Sequence, residues 1–300
     1  MADDDAFIDA HQHFWDLAAN PYPWLQGEEV QDFRYGDYSA LKRDYLPDDL
    51  ARDTAGCAPA GTIHIEAEWA RDTPVDETRW LTALAARTGR PTALVAHARL
   101  AADDAAEVLA LQAGFALVRG IRNKPVVATT PSDARRGQPG SMDDPRWRAG
   151  YALLSQHGLS FDLQAPWWHL DQAVALACDF PSTPLILNHT GLPVDRSSEG
   201  LRGWRQALEV LAAAPNTALK ISGLGQRGRP WLPQENVPLM RDAIAIFGPH
   251  RCMFASNFPV DSLVSRYDTI LSAFREAIAG RPDAERRALL HDNAVRLYRL

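Results

Sequence analysis

At 300 residues, 46% hydrophobic and 23% charged, the chain has ample core and no apolar run near the roughly 20 residues that a membrane span requires. A formal net charge of −7 excludes the concentrated basic face that polyanion binding needs, so nucleic acid is set aside as a partner. Three cysteines, Cys57, Cys178 and Cys252, lie far apart without Cys-x-x-Cys spacing, which excludes a disulfide framework or zinc knuckle and reads as small core residues in a reducing compartment. The start at residues 1–5 is acidic where a signal or transit peptide would be basic, so a cytoplasmic location is the expectation.

The first predicted strand, residues 7–13, ends in His11-Gln-His13. Side chains two apart on a strand point the same way, so Asp9, His11 and His13 are expected on one face, in metal-ligand or general-base geometry. Seven further β-branched or apolar runs follow near 61–67, 92–98, 116–122, 159–164, 184–189, 217–222 and 252–256. Between them lie segments of helical period, such as 76–87, 103–112 and 267–278, whose aspartates suit the first turns of helices. Length fits one large barrel or two ordinary domains. The eight βα repeats predict a single (β/α)8 TIM barrel over 1–300, with no linker to divide it.

Strands of such a barrel are buried on both faces and should read as continuous Val, Ile and Leu, so polar residues on them need a reason. In Thr62-Ile-His64-Ile-Glu66-Ala-Glu68-Trp69 the polar residues alternate with apolar ones and are expected on one side. Arg122, Gln164 and His189 each end a predicted strand, and Lys220 and Ser222 share a face of the seventh. One pocket collecting these ends is the simplest account, because buried charge is expensive unless paired or bound to something. The loops after the strands carry the aromatics: Trp15, Tyr22 and Trp24, then Trp69, then Trp167 and Trp168, then Trp231. Such loops build the active-site face of a barrel, so these rings predict a partly apolar mouth around a compact ring-shaped ligand, with Trp69 and Trp168 the preferred pair.

Taken together, Asp-Ala-His11-Gln-His13-Phe-Trp-Asp, His-Ile-Glu-Ala-Glu, Val-Arg-Gly-Ile-Arg122, Asn-His189-Thr-Gly, Leu-Lys-Ile-Ser-Gly, Phe-Ala-Ser-Asn257-Phe-Pro and the closing Asp292-Asn-Ala-Val-Arg-Leu-Tyr-Arg-Leu300 resemble the amidohydrolase superfamily. More narrowly, the chain resembles the branch of sugar-lactone and pyrone-dicarboxylate lactonases, over essentially its whole length. The resemblance implies that His11, His13 and His189 either hold one divalent ion, zinc or manganese, or polarise a substrate carbonyl without a metal. It also implies that Arg122 binds substrate oxygen or carboxylate. Gln164 stands where metal-bridging members have a lysine or histidine ligand, which argues against a two-metal site.

One position departs from the family pattern. Asn257 occupies the place of an aspartate that serves as general base, and an amide cannot take that proton. Asp261, Glu66, Glu68 or a metal-bound hydroxide would have to replace it, although Asp261 would equally suit a helix N-cap. The expected function is therefore hydrolysis of a small cyclic ester, a sugar-acid or carboxylated lactone. His11, His13 and His189 polarise the carbonyl, Asp261 or a second-strand glutamate activates water, and Glu68, Trp69, Arg122, Gln164, Trp168 and Lys220 hold the substrate. The alternatives are a non-oxidative decarboxylase on the same scaffold and a catalytically inactive barrel that binds a small ligand. A homo-oligomer is left open.

Overall fold

The eight apolar runs form eight parallel strands hydrogen-bonded in chain order: β1 (Ile8–Gln12), β2 (Gly61–Ile65), β3 (Ala93–His97), β4 (Val118–Arg122), β5 (Ser160–Leu163), β6 (Leu185–Leu187), β7 (Thr217–Ile221) and β8 (Cys252–Phe254). The structure is a computed structural model that describes residues 6–28 and 33–300, so the acidic start at 1–5 lies outside the described residues. The sheet closes just beyond the last strand, where Asn257 N donates to His11 O at 2.7 Å and His13 N donates to Phe258 O at 2.8 Å. The expected barrel is the architecture found.

Helices follow the strands around the outside. They are α1 (Pro47–Asp53), α2 (Pro74–Thr88), α3 (Ala105–Ala113), α4 (Pro145–Ala152), α5 (Leu170–Asp179), α6 (Ser198–Ala212), α7 (Pro233–Phe247), α8 (Tyr267–Ile278) and α9 (Asn293–Tyr298). Four of them, α1, α2, α4 and α7, begin on proline, whose fixed φ and missing N–H suit the first helical position. Asp76 and Asp268 fall in first turns as expected, whereas Asp103 precedes α3 and Asp104 caps it without a side-chain bond. Of the cysteines only Cys252 is a core residue; Cys178 is exposed.

The alternation of side chains needs two corrections. Ile8, Ala10, Ile63, Ile65, Ala93, Val95, Ile186, Ala218 and Met253 form one buried cluster with Ala294 and Tyr298 of α9, which fills the barrel interior. The partners of Asp9 lie the other way: Ser256 Oγ donates to it at 2.6 Å and Tyr267 OH of α8 at 3.0 Å. A register shift between Asp9 and Gln12 then re-aims the chain, as a β-bulge does, so Asp9 and His11 do not share a face. On β2 the interior belongs to Ile63 and Ile65. His64 instead packs toward α2, its Nε2 3.6 Å from Glu77 Oε1.

Deep in the barrel Lys220 of β7 and Asp162 of β5 form a fully buried pair at 2.5 Å. Tyr298 OH donates to Asp162 at 3.0 Å, and the ammonium sits 5.1 Å from the Tyr298 ring centroid. Burial pushes the Lys220 ammonium down to about 8 even with Asp162 beside it. Removing one member of such a pair strands the other. Lys220→Met is expected to lose about 3–5 kcal/mol in denaturant unfolding, against about 1 kcal/mol for Tyr298→Phe, which removes a hydrogen bond only; equal losses would contradict this account.

Candidate active site

A cleft of about 280 Å³ opens at the carboxyl ends of the strands, a size that suits a small ring. His13 reaches it from the end of β1, Glu68 from beyond β2, Arg122 and Lys124 from β4, Gln164 from β5, His189 from β6 and Asn257 from β8. The opposite wall is aromatic and comes from the long segment between β1 and α1: Trp15, Trp24, Phe33, Arg34 and Tyr38. That segment is fastened down by indole donors, Trp15 Nε1 to Arg43 O at 2.7 Å and Trp24 Nε1 to Ala67 O at 2.9 Å.

Three imidazoles meet at the floor. The ring of His11 lies 5.0 Å from His13 and 4.5 Å from His189, centroid to centroid. His13 Nδ1 is 2.7 Å from Ile65 O. A carbonyl only accepts, so the proton of neutral His13 sits on Nδ1 and the Nε2 lone pair is left for a ligand. His189 Nδ1 pairs with Ser222 Oγ at 3.0 Å, whereas neither ring nitrogen of His11 has a partner among the described residues. Burial holds all three rings well below the ordinary imidazole range. The charges of Arg122 at His13, of Arg34 and Arg122 at His189, and of Lys220 at His11 push the same way. They are therefore neutral at pH 7.

Backbone strain is concentrated here. Glu68, His189 and Asn257, all lining the cleft, have φ of 59°, 55° and 60°, in the left-handed region that side-chain-bearing residues seldom occupy. Gly223 leaves room for one of them, since a Cβ on it would lie 2.6 Å from His189 Cβ.

The cations at the cleft each have a carboxylate. Arg122 Nε donates to Glu66 Oε1 at 2.6 Å, and both side chains are buried. Burial pushes the Glu66 carboxyl up, but Arg122, His97 and Lys124 pull harder and leave it below its ordinary value. Lys124 Nζ contacts Glu68 Oε1. Arg34 lies 3.5 Å from Asp261 Oδ1 and 4.5 Å over the Tyr35 ring, while its Nη1 is buried with no partner among the described residues. Behind the cleft wall, the same Asp261 Oδ1 accepts from Tyr35 OH at 2.9 Å and from Asn257 Nδ2 at 2.5 Å. The amide nitrogen of Asn257 is thereby committed, and its Oδ1 is the atom left to face the cleft.

Residues 8–300 match the profile of the family described as Amidohydrolase. The chain belongs to the amidohydrolase family. Two relatives span nearly the whole amidohydrolase chain. The uncharacterised protein y4mH of Sinorhizobium fredii is 40% identical over 99% of each chain, and an L-fucono-1,5-lactonase of Burkholderia multivorans is 33% identical over 98% of this chain and 96% of its own. A crystal structure of an amidohydrolase from Burkholderia multivorans with bound zinc superposes with a TM-score of 0.80 at 30% identity, covering 98% of this chain and 99% of that one. In this amidohydrolase, no three His, Cys, Asp or Glu side chains among the described residues are grouped to hold a metal ion. His11, His13 and His189 offer three neutral donors and Asn257 an amide, with no carboxylate among them.

Of the residues singled out by sequence, His13, Glu68, Arg122, Gln164, His189 and Asn257 line the cleft and His11 lies directly beneath them. Asp261 and Lys220 are buried beyond the lining, each tied to its own partner. Trp69 and Trp168 do not line the cleft: the first donates to Thr73 Oγ1 and packs on Tyr22, the second donates to Ala128 O and packs on Trp167. Nor do the second-strand polar residues converge. Glu77, which accepts from Ala67 N at 2.9 Å, is pushed up to about 8 by burial and Glu66, and His64 down to about 3 by burial, leaving both neutral behind β2. Sequence reasoning missed Arg34 and Lys124. The second had a signal, since it stands two residues past Arg122 and shares its side of the extended chain.

A carboxylate that holds Asn257 in place and one that takes a proton respond differently to the same substitution. Asp261→Asn keeps an oxygen acceptor for Tyr35 and Asn257, so steady-state kinetics should show kcat reduced less than about tenfold; a loss within the roughly 10²–10⁴ range of a removed general base would make Asp261 that base.

Proposed function

We propose that this amidohydrolase hydrolyses a small cyclic ester, a sugar-acid or related lactone, using its own side chains. The observation that carries this is the 2.7 Å contact of His13 Nδ1 with Ile65 O at a ring-sized cleft, which puts the proton of the neutral imidazole on Nδ1 and leaves the Nε2 lone pair for a ligand. A general base needs a lone pair at the substrate and an orienting group behind it. Relatedness to an L-fucono-1,5-lactonase over nearly the full length supports the same reaction class.

The chemistry follows from these atoms. The lactone ring packs on Trp15, Trp24 and Tyr38, with its carbonyl toward the Arg34 and Arg122 guanidinium groups, which polarise it. Asn257 Oδ1 accepts one hydrogen of the attacking water. His13 Nε2 takes the other as the new C–O bond forms, and the resulting imidazolium is favoured by Glu66 and by the Ile65 carbonyl. Breaking the ring C–O bond returns that proton to the departing alkoxide, leaving a hydroxy acid. His11 and His189 hold the floor neutral so that the carbonyl oxygen meets no anion.

A divalent ion on His11, His13 and His189 would polarise the carbonyl as a Lewis acid. The geometry does not favour it, because among the described residues no three His, Cys, Asp or Glu side chains are grouped to hold an ion. We also take the enzyme to be cytoplasmic, with the whole chain one catalytic domain. In a pH-indicator assay across aldonolactones, muconolactones and pyrone dicarboxylates, purified protein treated with a chelator should still release acid, and His13→Gln should lose about 10²–10⁴ in kcat. Acid release abolished by the chelator and restored by zinc or manganese would overturn the metal-free mechanism. Carbon dioxide release without lactone opening would replace hydrolysis by decarboxylation.

A further inference from the structure

Among the described residues the three cations lining the cleft, Arg34, Arg122 and Lys124, are balanced one for one, by Asp261, Glu66 and Glu68. The three carboxylates are not placed alike. Asp261 and Glu66 are almost wholly buried, at 2% and 3% exposure, and lie outside the lining, whereas Glu68 is itself part of the cleft wall with its side chain 30% exposed. Around Glu68 stand Lys124 in contact, Arg71 at 3.7 Å on the solvent side, and Glu66, whose Oε2 accepts from the Glu68 backbone N–H at 3.0 Å.

We propose that Glu68 is a specificity-determining residue: by occupying Lys124 it makes the cleft charge-balanced, admits uncharged polyhydroxy lactones and rejects rings that carry a free carboxylate. This rests on the lactone-hydrolysis reading and chooses between the two substrate classes that the sequence leaves open. A carboxylate entering the cleft must shed its water and finds among the described residues no cation without a counter-charge, so its desolvation is not repaid. It also meets Glu68 directly, a repulsive element of the kind that selects one partner by disfavouring another. A neutral ring needs only single hydrogen bonds. Those are on offer from Gln164, Asn257 Oδ1 and Glu68.

The test compares wild type, Glu68→Gln, Lys124→Gln and the double variant Glu68→Gln/Lys124→Gln, on a hexono-1,5-lactone and on a hexarolactone bearing a free carboxylate. Wild type should favour the uncharged ring in kcat/KM by tenfold or more. Glu68→Gln should shift the ratio at least tenfold toward the carboxylated ring, the double variant should reverse that shift, and Lys124→Gln should move the ratio the other way. The same four proteins are titrated calorimetrically with a 1,5-anhydrohexitol and its 6-carboxylate, neither of which can be hydrolysed. These titrations report charge selection even if no lactone is turned over, so failure of the hydrolysis reading and failure of the Glu68 proposal are told apart. Wild type that takes the charged compound as well as the neutral one, or a ratio unmoved by Glu68→Gln and Lys124→Gln, would overturn it.

Discussion

Burying three imidazoles in contact with one another, within the field of an arginine and a lysine, is the constraint on which the rest of the site depends. An imidazole in that position can persist only uncharged, because a proton there would add a further positive charge to a region closed to water. The remedy adopted for the fixed cations is a carboxylate each, Glu66 for Arg122 and Asp162 for Lys220, and these pairs run from the cleft floor to Tyr298 in the barrel interior. The carboxylates are consumed in that balance. Among the described residues none of them is left unpaired beside the imidazoles to act as a strong base or as an anionic metal ligand, so the proposed chemistry falls to a lone pair on nitrogen.

The wall opposite the imidazoles is made from one segment, and its hydrogen bonds show how it is coupled to them. Tyr35 OH and Arg34 reach across to Asp261, and Asp261 in turn fixes the Asn257 amide. The segment that builds the aromatic wall and the Asn257 acceptor are thus tied to one carboxylate. The left-handed conformations of Glu68, His189 and Asn257 belong with this picture: strained backbone survives where surrounding contacts over-determine it, and here it aims three side chains into one cleft.

Much of this was legible in the chain itself. Eight β-branched runs separated by segments of helical period specify a closed barrel, and polar residues ending such runs must lie at its carboxyl rim, which is where His13, Arg122, Gln164 and His189 stand. The failures have physical reasons. Strict alternation put Asp9 with His11, but a bulge adds a residue to one strand without any mark in composition. His64 looked like part of the site because period alone cannot say which side of a strand is the interior; the packing of Ile63 and Ile65 decides that. Trp69 and Trp168 were chosen over Trp15 and Trp24 although all are loop tryptophans, since which indole reaches the cleft is set by where each finds a carbonyl or hydroxyl for its N–H. Arg34 was invisible for the same reason: its place in the cleft wall and its pairing with Asp261 are properties of three-dimensional surroundings only.

The protonation state of His13 carries the account, and nitrogen-15 NMR of the histidine side chains reads it without turnover. His13 should remain neutral with its proton on Nδ1 from pH 8 down through pH 6.5, since burial holds its pKa well below that ordinary value. A His13 that gains charge near pH 6.5, or carries its proton on Nε2 at neutral pH, would contradict it.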